Sequence, residues 1–167
     1  SSYLNEGETT LLIGESHLSA KIKKDTITTR IIGEKFPDYE SVIPKDNNKV
    51  FKSEKEAFLG AIKRVSIFSN KSTHQVAISL SSSSCVVTTE DPEKSSKAVE
   101  SVDSTFEGGD LIIGYNAEYL KDIVNHIPGR NMVANFSTPV SAALFSSATE
   151  LKNTENLMLL MPIRLND

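Results

Sequence analysis

A chain of 167 residues with 38% hydrophobic content is long enough for one ordinary domain and part of another, and it can bury a core. A formal net charge of −4 argues against a surface that grips nucleic acid over a wide face, while leaving room for a local basic stripe. Charged residues at 24% exclude a compositionally disordered chain, and with no Trp and only 7% aromatics the core must be made of Leu, Ile, Val and Phe.

The single cysteine, Cys85, excludes an internal disulfide and fits a reducing compartment such as the cytoplasm. It leads into a Val-Val pair, so it reads as buried packing. No apolar run approaches the ~20 residues of a membrane helix. The N-terminus, Ser1 to Glu6, has neither the basic start nor the apolar stretch of a signal peptide. It also lacks an initiator Met, so the chain reads as a piece of something longer.

In chain order, residues 9–14 read as a strand, and Leu18, Ala20 and Ile22 alternate with polar residues at the period of a second. Lys24-Asp25 is a turn signal, and the β-branched run Thr26 to Ile32 returns as a third strand ended by Gly33. Phe36 to Asn48, with Pro37 and Pro44, is a connector pinned by Phe36 and Tyr39. Ser53 with Glu56 forms a capping-box pattern ahead of a helix carrying Ala57, Phe58, Ala61, Ile62 and Val65. Strands follow at 75–80, 85–89 and 97–106, with Ser81 to Ser84 as a hairpin turn. Glu107 to Asp110 is a turn before a short strand at 111–114. Asn116 caps a second helix with Leu120, Ile123, Val124 and Ile127 on one face, stopped by Pro128-Gly129. Strands at 132–136, 140–145 and 157–163 complete the chain. Helix then strands, twice over, predicts an α+β fold of two halves that repeat in pattern only, with two helices packed on antiparallel sheets.

A search for chemistry finds no constellation. His17, His74 and His126 have no metal-ligating partners at suitable spacing. Gly108-Gly109 lies between strands rather than ahead of a helix, no serine sits in a nucleophile elbow, and the carboxylates are scattered. No cofactor or metal is expected. Lys52, Lys55, Lys63 and Arg64 by the first helix, and Lys121, His126 and Arg130 by the second, read either as a solvated face or as a weakly basic surface toward a polyanion. The accompanying Glu54, Glu56, Glu118 and Asp122 would keep any such contact loose and salt-sensitive. In the tail, Leu157 to Ile163 is nearly all apolar, and Pro162 cannot donate to a ladder, so Met161, Pro162 and Ile163 should lie at a rim. Such a patch often marks a protein-binding site.

Three stretches resemble one known family. They are Thr28 to Tyr39 (Thr-Thr-Arg-Ile-Ile-Gly-Glu-Lys-Phe-Pro-Asp-Tyr) with Val42, Ile43 and Pro44; Gly114 to Asp122 (Gly-Tyr-Asn-Ala-Glu-Tyr-Leu-Lys-Asp); and Leu159 to Leu165 (Leu-Leu-Met-Pro-Ile-Arg-Leu). Their order and separations are similar to those of the bacterial DNA sliding clamp, the beta subunit and processivity factor of the replicative DNA polymerase. The resemblance implies residues 1–44 as the last strands of the middle clamp domain plus a connector, and residues 45–167 as a complete C-terminal clamp domain. It implies a non-enzymatic homodimeric ring around duplex DNA, with replicative and repair polymerases and the clamp loader as partners and no membrane. Lys55, Lys63, Arg64 and Lys121 are then candidates for loose phosphate contact. Pro37 and Val42 of the connector, with Leu159, Leu160, Met161, Pro162, Ile163 and Arg164 of the tail, would form a cleft for partner peptides. Ile67, Phe68, Lys97 and Val99 would lie at the ring interface. Ser41, Met158, the Asn166-Asp167 extension, and Lys94 and Lys97 depart from the family pattern. The alternative is a stand-alone peptide-binding adaptor using the Met161-Pro162-Ile163 patch; a hydrolase whose residues meet only in space is a third reading.

Overall fold

The computed structural model describes residues 8–149 and 154–165, which divide into two units between Tyr39 and Glu40. In the first, β1 (Thr9–Ile13), β2 (His17–Ile22) and β3 (Asp25–Arg30) make an antiparallel meander. The β2–β3 turn falls at Lys23-Lys24, one residue before the turn signal, with Lys23 at φ 55°. Register puts Leu11 opposite Ala20 and Ala20 opposite Ile27, with Ile13 opposite Leu18, so one face of the meander is apolar. Leu11 and Ile13 are exposed there. Phe36 and Tyr39 meet edge to face, with ring centroids 6.2 Å apart.

The second unit consists of β4 (Lys49–Glu54), α1 (Lys55–Ser66), β5 (Gln75–Ser81), β6 (Ser84–Asp91), β7 (Ser96–Glu107), β8 (Leu111–Asn116), α2 (Ala117–His126), β9 (Asn131–Phe136), β10 (Ala143–Ser147) and β11 (Leu157–Leu160). The order β11-β10-β9-β4-β7-β6-β5-β8 is antiparallel throughout. It is a βαβββ unit written twice, with the halves interlocked: β4 of the first half pairs with β9 of the second, and β8 of the second pairs with β5 of the first. Alternation explains the strands. In β5, Val76, Ile78 and Leu80 point inward, and in β6 Cys85 and Val87 do the same. Helix α1 buries Phe58, Leu59, Ala61, Ile62 and Val65, and α2 buries Leu120 and Val124. Each large aliphatic or aromatic group so buried contributes roughly 1.5–3 kcal/mol. Phe51 of β4 packs on Phe58 with centroids 5.3 Å apart, so strand and helix share one core.

Several local expectations change. Ser53 and Glu56 form no capping box: Ser53 is an inward-facing residue of β4, and its hydroxyl donates to the carbonyls of Glu54 and Asp103, each at 3.3 Å. Helix α1 opens at Glu54 without a side-chain cap, and the Lys55 N–H is taken by the Arg130 carbonyl at 2.9 Å. Ala57, placed on the apolar stripe by spacing, is exposed. Asn116 does cap α2, its Oδ1 accepting from the N–H groups of Glu118 (2.9 Å) and Tyr119 (3.4 Å). The strand expected from Val140 starts at Ala143, and the tail strand stops at Leu160.

Candidate functional site

The tail builds a site because Pro162 ends the β10–β11 ladder. Beyond it, the Ile163 N–H donates to the Gly114 carbonyl of β8 at 2.9 Å, an isolated bridge that joins the tail to the far edge of the sheet. Gly114 permits this approach: a Cβ there would lie 2.7 Å from the Ile163 carbonyl oxygen and 2.7 Å from Leu165 Cδ2. Beside the tail opens a cleft of about 400 Å³ lined by Ile112, Gly114, Pro139, Val140, Ile163, Arg164 and Leu165. Ile112 and Val140 are exposed, and so is Met161 next to the tail crossing, at 60%.

Of the tail residues singled out in the sequence, Ile163 and Arg164 line the cleft and Met161 lies one residue beyond Leu160 in solvent. Pro162 is half-buried, Leu160 is in the core, and Leu159 pairs with Leu144 across β10. Val42, exposed on the 3-10 turn Tyr39–Val42, does not line the cleft, and Pro37 belongs to the first unit. Asn166 and Asp167 lie outside the described residues. Sequence reasoning missed Ile112, Pro139 and Val140. The last two sit in the turn Thr138–Ser141, closed by a hydroxyl–hydroxyl hydrogen bond of 2.6 Å between Thr138 and Ser141 and by Ser141 N–H donating to the Thr138 carbonyl at 3.3 Å. The Ser-Thr-Pro sequence was the available turn signal. With Arg164 as the one charged lining residue among the described residues, the cleft is suited to apolar side chains and shows no nucleophile or acid–base pair among them.

A second feature is an open edge. β7 pairs with β6 along Ser96–Asp103 and with β4 only along Ser104–Glu107, so among the described residues Ser96–Asp103 has one unpaired side. Ile67 and Phe68, exposed just past α1, lie beside it: the Ser96 hydroxyl donates to the Phe68 carbonyl at 3.1 Å. Arg64 holds Glu100 of β7 through two guanidinium nitrogens, and this hydrogen bonding keeps the Glu100 carboxyl below its ordinary range and the guanidinium above its own. Val99 is exposed, and Lys97 pairs with Glu90 at 3.7 Å.

The helix cations are mostly committed. Lys55 is largely covered and donates to the Ile127 carbonyl at 3.3 Å, at the C-terminal end of α2. Arg64 is tied to Glu100, and Lys121 donates to Glu118 at 2.7 Å; that bond, with the nearby charges of Lys121 and His74, holds the Glu118 carboxyl below its usual range. Lys63 is exposed and makes no ion pair among the described residues. No cluster of three or more His, Cys, Asp or Glu able to hold a metal occurs among the described residues.

Two interlocked βαβββ halves, helices on one side and antiparallel sheet on the other, define a DNA-clamp domain. Residues 40–164 match the family described as DNA polymerase III beta subunit, C-terminal domain, and the chain belongs to that family. It is 30% identical over 160 residues to the beta sliding clamp of Pseudomonas aeruginosa, covering 96% of this chain and 42% of that protein. It is also 30% identical over 155 residues to that of Vibrio cholerae, covering 93% and 41%. The crystal structure of the Pseudomonas aeruginosa DNA polymerase sliding clamp with ligand superposes with a TM-score of 0.84 at 30% identity, over 96% of this chain and 43% of that one. A Bartonella birtlesii sliding clamp bound to griselimycin gives 0.84 at 28% identity, over 95% and 42%. The chain spans less than half the length of the curated relatives it matches.

Proposed function

We propose that this chain is the C-terminal part of a DNA polymerase processivity factor: a cytoplasmic sliding clamp that closes as a homodimeric ring around duplex DNA and docks polymerases and the clamp loader, with no chemical step of its own. The observation that carries the docking role is the apolar cleft beside the tail, shaped by the Ile163–Gly114 bridge. The open edge of β7, flanked by Ile67, Phe68 and Val99, supports a ring contact made by strand pairing, with Lys97 at its end. Lys63, Arg64 and Lys121 are the proposed helix cations toward DNA and Lys55 a supporting one; with three of the four in ion pairs, contact with phosphates is loose, as suits a ring that slides. The exposed apolar face of the β1–β3 meander supports residues 1–44 as the last strands of a middle domain plus connector, since three strands bury too little to stand alone.

A peptide rich in Gln and Leu tests the docking role. The chain should bind it, and Met161→Ala, which removes an exposed apolar anchor beside the cleft, should lose most of the affinity. Equal binding by both forms would move the site away from the tail. The adaptor reading has one observation in its favour: every lining residue of the cleft lies within the second unit. It predicts that Pro37→Ala leaves peptide affinity unchanged, whereas a cleft completed by the connector predicts a loss.

A further inference from the structure

We propose that Asn47 is the positioning residue of the peptide cleft, stapling the connector that carries Val42 to the loop that carries Val140; this rests on the cleft reading above. Asn47 lies between Pro44 and β4 and is half-buried. Its Nδ2 donates twice, to the Asn135 carbonyl at 3.0 Å and to the Ala142 carbonyl at 2.9 Å. Those carbonyls belong to the two ends of the β9–β10 connection, one near the end of β9 and the other just before β10. A single amide therefore ties both sides of the loop together at its stem, next to the Asn135–Leu144 pair that begins the β9–β10 ladder.

Above the stem, the Thr138–Ser141 turn is held by the loop's own hydroxyls, and Val140 N–H donates to Thr138 Oγ1 at 3.4 Å. At the tip of the turn, Pro139 and Val140 line the cleft together with Ile163 and Ile112. Only a group with two N–H donors on one nitrogen bridges two carbonyls in this way. A hydroxyl serves one of them, and a carboxylate repels both. Asn47 Oδ1 is buried and accepts no hydrogen bond among the described residues, so its two donors are what hold the residue there. The stem also fixes the connector, because the same residue is covalently part of it. Connector and cleft wall thus cannot shift independently.

The test uses the full 167-residue chain, the variants Asn47→Ala and Asn47→Asp, and three readouts. These are amide exchange in residues 137–142 without peptide, affinity for the Gln- and Leu-rich peptide, and accessibility of the buried Cys85 thiol as a monitor of the rest of the fold. Both variants should speed loop exchange and weaken the peptide roughly tenfold while Cys85 stays protected. Unchanged loop exchange overturns the proposal. Faster exchange with unchanged affinity also overturns it, and if Met161→Ala abolishes binding in the same series, the cleft reading stands without Asn47. A wild-type chain that binds no peptide overturns the cleft reading and the affinity claim with it. Should Asn47→Ala expose Cys85, Thr138→Val decides: it loosens the same tip without touching the connector, and full affinity there overturns the idea that loop shape sets binding.

Discussion

Gly114→Ala tests the geometry on which the cleft depends. The glycine has ordinary extended backbone, so alanine adds no conformational strain and the whole effect is steric. The new methyl would sit 2.7 Å from both the Ile163 carbonyl oxygen and Leu165 Cδ2, closer than carbon tolerates. Leu165 can rotate away, but the carbonyl is backbone, and moving it stretches the bridge in which Ile163 N–H donates to Gly114 at 2.9 Å. Overpacking at such a site costs about 1–3 kcal/mol, and losing one backbone hydrogen bond about 1 kcal/mol. If the tail lifts away entirely, the overpacking is relieved and the cost becomes the bridge plus the burial of Leu165. Either route gives about 2–3 kcal/mol, equivalent to roughly 8–12 °C in Tm for a domain of this size. Thermal and urea unfolding measure it, and the peptide titration on the same sample should show weakened binding because the Ile163–Leu165 wall has moved. Gly33→Ala is the control, since a Cβ there meets nothing within 4 Å. A Gly114→Ala chain that melts within a degree of wild type and binds peptide equally well would refute the claim that the tail crossing shapes the site.

Burial pushes the Cys85 thiol from 9.0 up to about 12, and burial raises the Tyr115 hydroxyl as well. Both groups favour the proton in the folded state, so their contribution is full below their ordinary values and is lost as pH rises. Between pH 9 and 12, Cys85 alone should remove about 1.4 kcal/mol per pH unit, and Cys85→Ala should flatten that part of the urea-midpoint profile. At pH 8 a thiol reagent should leave Cys85 unmodified until denaturant is added. Asn116→Ala removes the acceptor for two N–H groups at the start of α2 and should cost about 1 kcal/mol in urea unfolding. Lys55→Met should destabilise the chain by about 1 kcal/mol by freeing the Ile127 carbonyl. Lys63→Ala should leave stability unchanged and lower the salt slope of DNA binding by about one in the assembled ring; the reverse pattern would exchange their roles.

Elements whose period follows a buried face were legible in the sequence. Val76, Ile78 and Leu80 alternate, Phe58, Ile62 and Val65 recur at helical spacing, and both signals report the same core. The repeat of helix and strands was legible for the same reason. β4 was not, because Lys-Val-Phe-Lys-Ser-Glu offers one large inward residue, Phe51; it is a strand because β7 and β9 pair with it on both sides, a tertiary effect absent from any local window. The apparent capping box failed on the same segment, since Ser53 faces the core and its hydroxyl finds Asp103 across the sheet. In the site, the break at Pro162 could be read from chemistry alone. That Val140 comes to line one cleft with Ile163 could not, because it depends on a turn and on where the tail crosses β8.

The two halves of the domain end differently, and the difference separates their uses. In the first half β7 runs unbroken for 12 residues, pairing first with β6 and then with β4, so Ser96–Asp103 presents bare backbone along one side. In the second half the ladder between β10 and β11 ends at the Ala143–Leu160 pair. It cannot continue, because Pro162 has no N–H to donate to the next position of the ladder. Among the described residues of the tail, Ile163 then bridges to β8, as Ser104 reaches β4 in the first half. One terminal strand therefore offers hydrogen-bonding groups to another strand, while the other offers apolar side chains beside a cleft. Pro162 makes that division, so a chain with Pro162→Val should extend β11 beyond Leu160, gain a protected amide there, and lose the peptide.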